Sequence, residues 1–372
     1  MKLEWAEKSK YNSFNSYKGL TYYNNYNNIS QWLSSETDKL GPPVECNLDP
    51  IAECNLNCYF CITQRYLRTH REEVGEMRRL PPEYMCRLTG FLANWGVRGL
   101  CISGGGEPSL HKDISTIIHL AVDDGMDAAF VTNATLIDDW LADALMRCRW
   151  VALSVDSSDF QTYRGVKGVN LFDQVVVNIS RLAQLKVKTN SQVDLCFKFL
   201  VLPENTDSIF RACKLAKELG VQDFHARPVD FEREDIKGHK QLIINPDIVE
   251  EQFVKCHELE TKDFHVYTVT HKFDSHFHVK HDFKQCLATP LVIPILQDGN
   301  AYLCVDKKME EKFKLGSCYP DPEQILTWWG SEYHRQMIKS VNINQCSRCT
   351  WSQYNRQIEE VVQNDGMCLS FP

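Results

Sequence analysis

The sequence predicts an α/β fold in which six strand–helix units form a partial (β/α)6 TIM-type barrel, followed by a small cysteine-rich C-terminal domain. Three observations predict it. Between Val44 and Arg227, short apolar runs alternate with amphipathic stretches of helical length, and such alternation builds parallel sheets with right-handed crossovers. Hydrophobic residues at 43 % and charged residues at 24 % match a globular chain with a sizeable core. The last 87 residues hold six of the sixteen cysteines. Alternation alone equally fits a flat, doubly wound sheet.

Residues 1–43, rich in Asn, Tyr and Ser, hold neither a period of 2 nor one of 3.6 and read as an arm with one short helix near Ile29–Leu33. Strands follow at Val44–Ile51, RGLCIS, DAAFVT, WVALSV, VDLCFKFLV and VQDFHAR, with helices over Pro81–Trp95, His111–Asp124, Asp138–Arg147, Leu171–Lys186 and Asn205–Leu219. In the last helix Ile209, Cys213, Ala216 and Leu219 share a face, Asn205 to Asp207 offer an N-cap and Gly220 a stop. These units give a barrel domain over 44–228. The polar run FEREDIKGHK opens a linker or insertion over 229–284, and the cysteine-rich domain spans 285–372.

No apolar run approaches the roughly 18 residues of a membrane helix, and MKLEWAEKSK lacks the apolar core of a signal peptide. The sequence thus points to the cytoplasm, without a membrane partner. In that reducing compartment metal binding, rather than disulfides, accounts for so many cysteines. The net charge of −8 weighs against a nucleic-acid partner.

The stretch ECNLNCYFCITQR places Cys54, Cys58 and Cys61 in one loop after the first strand. Soft thiolates at this spacing suit an iron–sulfur cluster or zinc. A structural zinc ion needs a fourth protein ligand, and the next cysteine or histidine is His70. After the second strand, CISGGGEPSL supplies glycines that permit close backbone approach and a carboxylate at Glu107.

Cys54-x3-Cys58-x2-Cys61, with Phe60 before the third cysteine, resembles the signature of the radical S-adenosylmethionine (SAM) superfamily, and Gly105-Gly106-Glu107-Pro108 resembles its glycine-glycine-glutamate-proline element. The resemblance implies that the three cysteines hold a [4Fe–4S] cluster whose fourth iron is chelated by SAM, and that Glu107 accepts from the SAM amine. Barrel sites lie at the carboxyl ends of strands, where Thr132-Asn133, Ser154-Val155-Asp156, Pro203-Glu204-Asn205 and Arg227-Pro228 fall. By resemblance Ser154 and Asp156 contact SAM, with Asn133 and Arg227 as further candidates. A helix cap or polar loop residue is the alternative for each.

In the C-terminal domain LVIPILQDGNAYLCV reads as a hairpin turning at Asp298-Gly299, which would bring Cys286 to Cys304, with Cys346-x2-Cys349 closing a four-thiolate site. The arrangement resembles the SPASM and twitch auxiliary-cluster domains of the same superfamily. The fuller SPASM pattern has a cysteine where this chain has Asn355, so one auxiliary [4Fe–4S] cluster is expected, Cys318 and Cys368 being candidates for an atypical second site. Zinc fits the same four ligands. His276, His278 and His281 read as strand or loop residues, the arginines of 65–79 as a solvated face, and Cys101, Cys196 and Cys213 as core.

The resemblance implies one-electron cleavage of SAM, by a flavodoxin- or ferredoxin-type donor, to methionine and a 5′-deoxyadenosyl radical that takes hydrogen from a substrate. A small polar metabolite of sugar or aminocyclitol type, oxidised or rearranged, is the first expectation. Modification of a ribosomally made peptide is the second, against which the 43-residue arm is short for a leader-binding domain. A non-catalytic iron–sulfur or zinc module is the third. No residue of the sequence identifies itself as the catalytic acid, base or hydrogen donor.

Overall fold

A computed structural model of the protein describes residues 21–63, 78–229, 244–269, 280–346 and 348–363. The arm enters through helix α1 (Tyr23–Leu33), which begins earlier than the apolar pattern suggested. Its buried stripe of Tyr26, Ile29, Trp32 and Leu33 docks on the core.

Six parallel strands follow in sequence order across the sheet: β1 (Glu45–Leu48), β2 (Gly99–Ile102), β3 (Asp127–Thr132), β4 (Trp150–Ser154), β5 (Asp194–Val201) and β6 (Asp223–Pro228). Helices α2 (Pro82–Trp95), α3 (Ile114–Asp123), α4 (Asp139–Leu145), α5 (Phe160–Lys167), α6 (Phe172–Thr189) and α7 (Ile209–Glu218) return the chain between them. The strands have two unlike faces. Cys46, Leu48, Leu100, Ile102, Phe130, Leu195, Phe197, Phe224 and Ala226 belong to the main core, whereas their alternates Glu45, Asn47, Cys101, Asp194, Lys198, Asp223, His225 and Arg227 line a cavity. This period of 2 gives a partial barrel with an apolar coat and a polar interior.

The sheet is wider than six strands. Helix α8 (Pro246–His257) and β7 (His265–Thr268), within the stretch expected to be a linker or insertion, add a parallel neighbour to β6. At the other edge β8 (Val292–Ile295) lies parallel to β1 and turns through Asp298-Gly299 into antiparallel β9 (Asn300–Tyr302), followed by β10 (Lys314–Ser317). The expected hairpin is present, and its first strand is also the eighth parallel strand of the barrel sheet. Short helices α9 (Ile325–Trp328), α10 (Glu332–Lys339) and α11 (Ser352–Gln357), the last running into a π-helical turn (Ile358–Val362), complete the described chain.

Two expectations change in detail. Asn205 does not cap α7: its amide accepts from Leu202 N (2.7 Å) and donates to the carbonyls of Asp156 (2.9 Å) and Leu200 (2.8 Å), tying two strand ends together. Cys101 and Cys196 are buried as expected, but they border the cavity, whereas Cys213 lies in the core.

Helix α10 packs on α1 through His334, which is 1 % exposed and packs at a tilt against Trp32 (5.1 Å) and Trp329 (4.8 Å), its Nδ1 accepting from Gly330 N (3.2 Å). Burial holds its pKa down at about 3, against an ordinary 6.5, with the Arg335 guanidinium over the same Trp32 ring. A depressed histidine favours the native state above pH 6.5, and that contribution is lost as the unfolded chain takes up the proton between pH 6.5 and about 3. Urea unfolding is expected to lose about 1.4 kcal/mol per pH unit below 6.5 through this group. His334→Gln should remove that part of the slope.

Candidate active site

Three strand-end loops meet above the barrel. The first leaves β1 and carries the three cysteines. It is pinned at its base by Ala52 N to Arg78 O (2.8 Å) and Leu80 N to Pro50 O (3.0 Å), and by an ion pair of Arg79 with Glu53. Within it Cys61 N donates to Cys58 O (3.2 Å) and Leu56 N to Cys54 Sγ (3.4 Å). Burial raises the pKa of Cys54 and pushes that of Cys58 up to about 11, and neighbouring thiols of the loop add to both shifts. Iron or zinc entering here must therefore displace protons.

The second loop, Gly104 to Pro108, lies against the first. Gly106 N donates to Ile51 O and Glu107 N to Glu53 O, both at 2.8 Å. A Cβ on Gly106 would stand 2.0 Å from Glu53 O, so only glycine fits. Glu107 is 3 % exposed. Its Oε1 accepts from Ser109 N (3.1 Å), Ser109 Oγ (2.7 Å) and Thr132 Oγ1 (2.6 Å), and its Oε2 from Asn133 N (2.7 Å). Burial raises its pKa and these bonds oppose the shift. Pro108 opens a short 3-10 turn behind it. Asn133 carries the network back to the cysteine loop, donating to Asn55 Oδ1 (2.9 Å) while Asn55 donates to Thr135 Oγ1 (2.8 Å).

The third element is the end of β4, where Asp156 was expected, with helix α5, which had no place in the sequence reading although Asp159 and Gly168 bracket it as cap and stop. Lys167, its last residue, is 3 % exposed and pairs with Asp156, 2 % exposed, at 2.5 Å. Burial alone would lower the lysine's pKa, but Asp156 and then Cys58 raise it above the ordinary range. The ammonium lies 5.6 Å from the ring centre of Phe60, and Lys167 O accepts from Asn57 N (2.9 Å). Asp156 Oδ1 also accepts from Leu200 N (2.7 Å), with its own φ at +58°. Tyr59 OH donates to Glu204 (2.6 Å). The expected residues thus form two supports around the cysteine loop, one through Glu107 and Asn133 and one through Asp156 and Phe60. Ser154 ends β4 opposite Lys198 in register, and Arg227 lines the cavity.

That cavity, about 470 Å3, runs along the barrel interior and is bounded also by Tyr22, Trp351 and Tyr354. Lys198 Nζ lies 3.1 Å from His225 Nδ1. Lys308 reaches in from the C-terminal segment to Asp49 (2.5 Å), which Ser103 Oγ also contacts (2.9 Å).

Cys286, Cys304, Cys346 and Cys349 line one pocket, whose walls Arg348 and Trp351 also bound the barrel cavity. Asn355, at the position of the missing SPASM cysteine, accepts from Leu287 N and Ala288 N (both 2.7 Å) and donates to Cys349 Sγ (3.6 Å). Asp306 fastens the other side by pairing with Arg348 and accepting from Thr350 N (2.8 Å). Cys318 lies in the core, donating to Gly299 O (3.1 Å), away from these four. His281 Nε2 meets Cys346 O (2.9 Å). Cys368, His276, His278 and most of the arginine run lie outside the described residues. Among the described residues, no three His, Cys, Asp or Glu side chains converge as ligands of a single ion.

A partial parallel barrel with a three-thiol loop on its first strand, cradled by a Gly-Gly-Glu-Pro turn on its second, defines an iron–sulfur enzyme class that uses SAM. The model of the radical SAM superfamily matches residues 49–234, and the chain belongs to that superfamily; its cofactors are a [4Fe–4S] cluster and SAM, and the thiol loop fits the former in donor chemistry and burial. A probable GTP 3′,8-cyclase from Pyrococcus abyssi is 31 % identical over 162 residues, 42 % of this chain and 50 % of that protein. One from Saccharolobus islandicus is 26 % identical over 213 residues, 55 % and 64 %. The chain therefore spans between half and two thirds of these relatives. Among solved structures, Streptococcus suis SuiB bound to S-adenosylmethionine superposes with a TM-score of 0.63 at 16 % identity, covering 88 % of this chain and 76 % of that one. Native anSMEcpe with bound AdoMet gives 0.57 at 18 %, covering 84 % and 88 %. These two likenesses are of fold. No helix among the described residues is long and apolar enough to cross a membrane.

Proposed function

We propose that this radical SAM enzyme abstracts hydrogen from a small polar metabolite held in the barrel cavity, as part of an oxidation or rearrangement. The observation that carries the reading is the cavity itself. Its volume of about 470 Å3 falls in the range of small-molecule sites, roughly 300–1,000 Å3. Its lining of Asn47, Ser103, Asp194, Lys198, His225 and Arg227 offers donors and acceptors suited to hydroxyl and amino groups. The name of the curated relatives, GTP 3′,8-cyclase, also favours a small molecule. Solved structures of SuiB and anSMEcpe with peptides keep peptide modification as the second reading.

Cys54, Cys58 and Cys61 would hold the cluster, with Phe60, Gly105, Gly106, Glu107, Pro108, Asn133, Ser154, Asp156 and Arg227 as the residues around SAM. When bound, the pair supplies a 5′-deoxyadenosyl radical on receipt of one electron from a flavodoxin- or ferredoxin-type donor. The chain's own part is positional. Gly106 lets the second loop close on the first, the Glu107–Asn133 network fixes their separation, and the aromatic and aliphatic coat keeps bulk water from the barrel wall.

Cys286, Cys304, Cys346 and Cys349 would hold one auxiliary [4Fe–4S] cluster. Four thiols ringing a pocket, rather than meeting at a point, suit a cube better than tetrahedral zinc. Arg348 and Trp351 line both that pocket and the barrel cavity, which supports a cluster held there as the acceptor of an electron from the substrate. The decisive measurement incubates anaerobically reconstituted protein, holding about eight iron atoms per chain, with SAM, dithionite and deuterated candidate substrates. Deuterium is expected in 5′-deoxyadenosine with a polyhydroxylated or amino-bearing metabolite. Transfer only from peptides would move the assignment to the second reading, and no 5′-deoxyadenosine under any condition would overturn both.

A further inference from the structure

The family resemblance gives the role of ammonium acceptor to Glu107, yet its carboxylate is already engaged. Three donors converge on Oε1 and one on Oε2, all from the chain itself. Two carboxylate oxygens present about four acceptor sites, so little capacity remains for a ligand.

A different acceptor lies against the same motif. Gln297, in the turn between β8 and β9, is 1 % exposed, and its Oε1 is buried with no hydrogen-bond partner among the described residues. That oxygen stands 3.4 Å from the point a Cβ on Gly105 would occupy. The other atoms nearest that point are the Thr63 methyl carbon (3.3 Å) and Ile51 O (3.6 Å), neither of which donates. Buried amide oxygens are nearly always paired. One left unpaired beside a glycine loop, between the end of β1 and the end of the cysteine loop, marks a place where a donor arrives from outside the chain.

We infer that Gln297 accepts a hydrogen bond from the ammonium group of SAM at the glycine motif. The C-terminal third of the chain thereby contributes a cofactor-binding residue to the barrel. The inference rests on SAM occupying the Gly105–Gly106 loop, and the test separates the two.

The full-length protein, reconstituted anaerobically, is titrated with SAM and followed through the electron paramagnetic resonance signal of the reduced cluster and by equilibrium dialysis of labelled SAM. Gln297→Leu is expected to raise the Kd about 10-fold or more, as loss of a charge-assisted bond does, with iron content and melting temperature unchanged. Gln297→Glu, which keeps an acceptor, should bind at least as tightly as the wild type. An analogue of SAM lacking the amino group should bind wild type and Gln297→Leu equally. A wild-type Kd in Gln297→Leu would overturn the assignment while leaving SAM binding intact. A fully loaded wild type that binds no SAM would overturn the placement of SAM and this inference with it. Should Gln297→Leu lose iron, Gln297→Glu decides: retained affinity supports the assignment, and a tenfold loss with iron retained overturns it.

Discussion

Replacing Cys58 by alanine is expected to abolish 5′-deoxyadenosine formation and to remove about four iron atoms per chain, while leaving the auxiliary set loaded. Cys58 is the thiol most enclosed by the first site's supports: Cys54, Cys61, Lys167 and Asp156 all act on its pKa, and burial acts more strongly still. A cube that lost one of three protein thiolates would keep only two anchors on the loop, and the loop's own bond, Cys61 N to Cys58 O, with its tie to α5, Asn57 N to Lys167 O, is too little to hold it alone. Iron analysis with product chromatography on the variant, beside Cys346→Ala as the auxiliary counterpart, reads both effects. Activity surviving in Cys58→Ala with four irons at the first site would remove that cysteine from the centre.

Asp156→Ala is expected to destabilise the fold by about 3–5 kcal/mol, the cost of stripping one member from a buried ion pair. With both side chains at most 3 % exposed, water cannot screen the ammonium left behind, and Lys167 is held by the same helix end whose carbonyl grips Asn57 in the cysteine loop. The damage should therefore spread to cluster retention. Asp156→Asn tests charge separately, since asparagine tolerates the left-handed backbone at φ +58° and still accepts from Leu200 N. The double variant Asp156→Asn with Lys167→Met should recover much of the loss, because it leaves no unpaired charge and keeps the acceptor for Leu200 N. Denaturant midpoints of the four proteins check this. A loss under 1 kcal/mol for Asp156→Asn would place the pair in a wetter setting than its burial implies.

The elements that were legible in the sequence are those whose causes are local. The strand at Asp127–Thr132 and the helix starting near Pro82 follow from alternation, from proline at a helix start and from glycine at its stop. The cysteine loop and glycine turn were legible because their spacing is itself the chemistry. Long-range partners were not. The burial of all four residues of Val292–Ile295 follows from neighbours on both sides, and nothing in VIPI announces that one of them is β1. Lys167 sits in a run, FQTYRGVKG, to which the sequence pattern assigns no element; only the fold places Asp156 and Phe60 around its ammonium. Asn355 stood out as a missing ligand, and its bonds to the segment after Cys286 show what replaced it. Gln297 carried no signal beyond lying next to a turn.

The pairing of β8 with β1 bears on how the polypeptide matures. A ribosome delivers the first strand of the sheet early and its outer neighbour only after most of the chain has emerged. Until then one flank of the sheet displays unmet backbone donors and acceptors. The barrel sheet therefore gains its outer parallel neighbour beside the cysteine-bearing strand only once the C-terminal third has emerged.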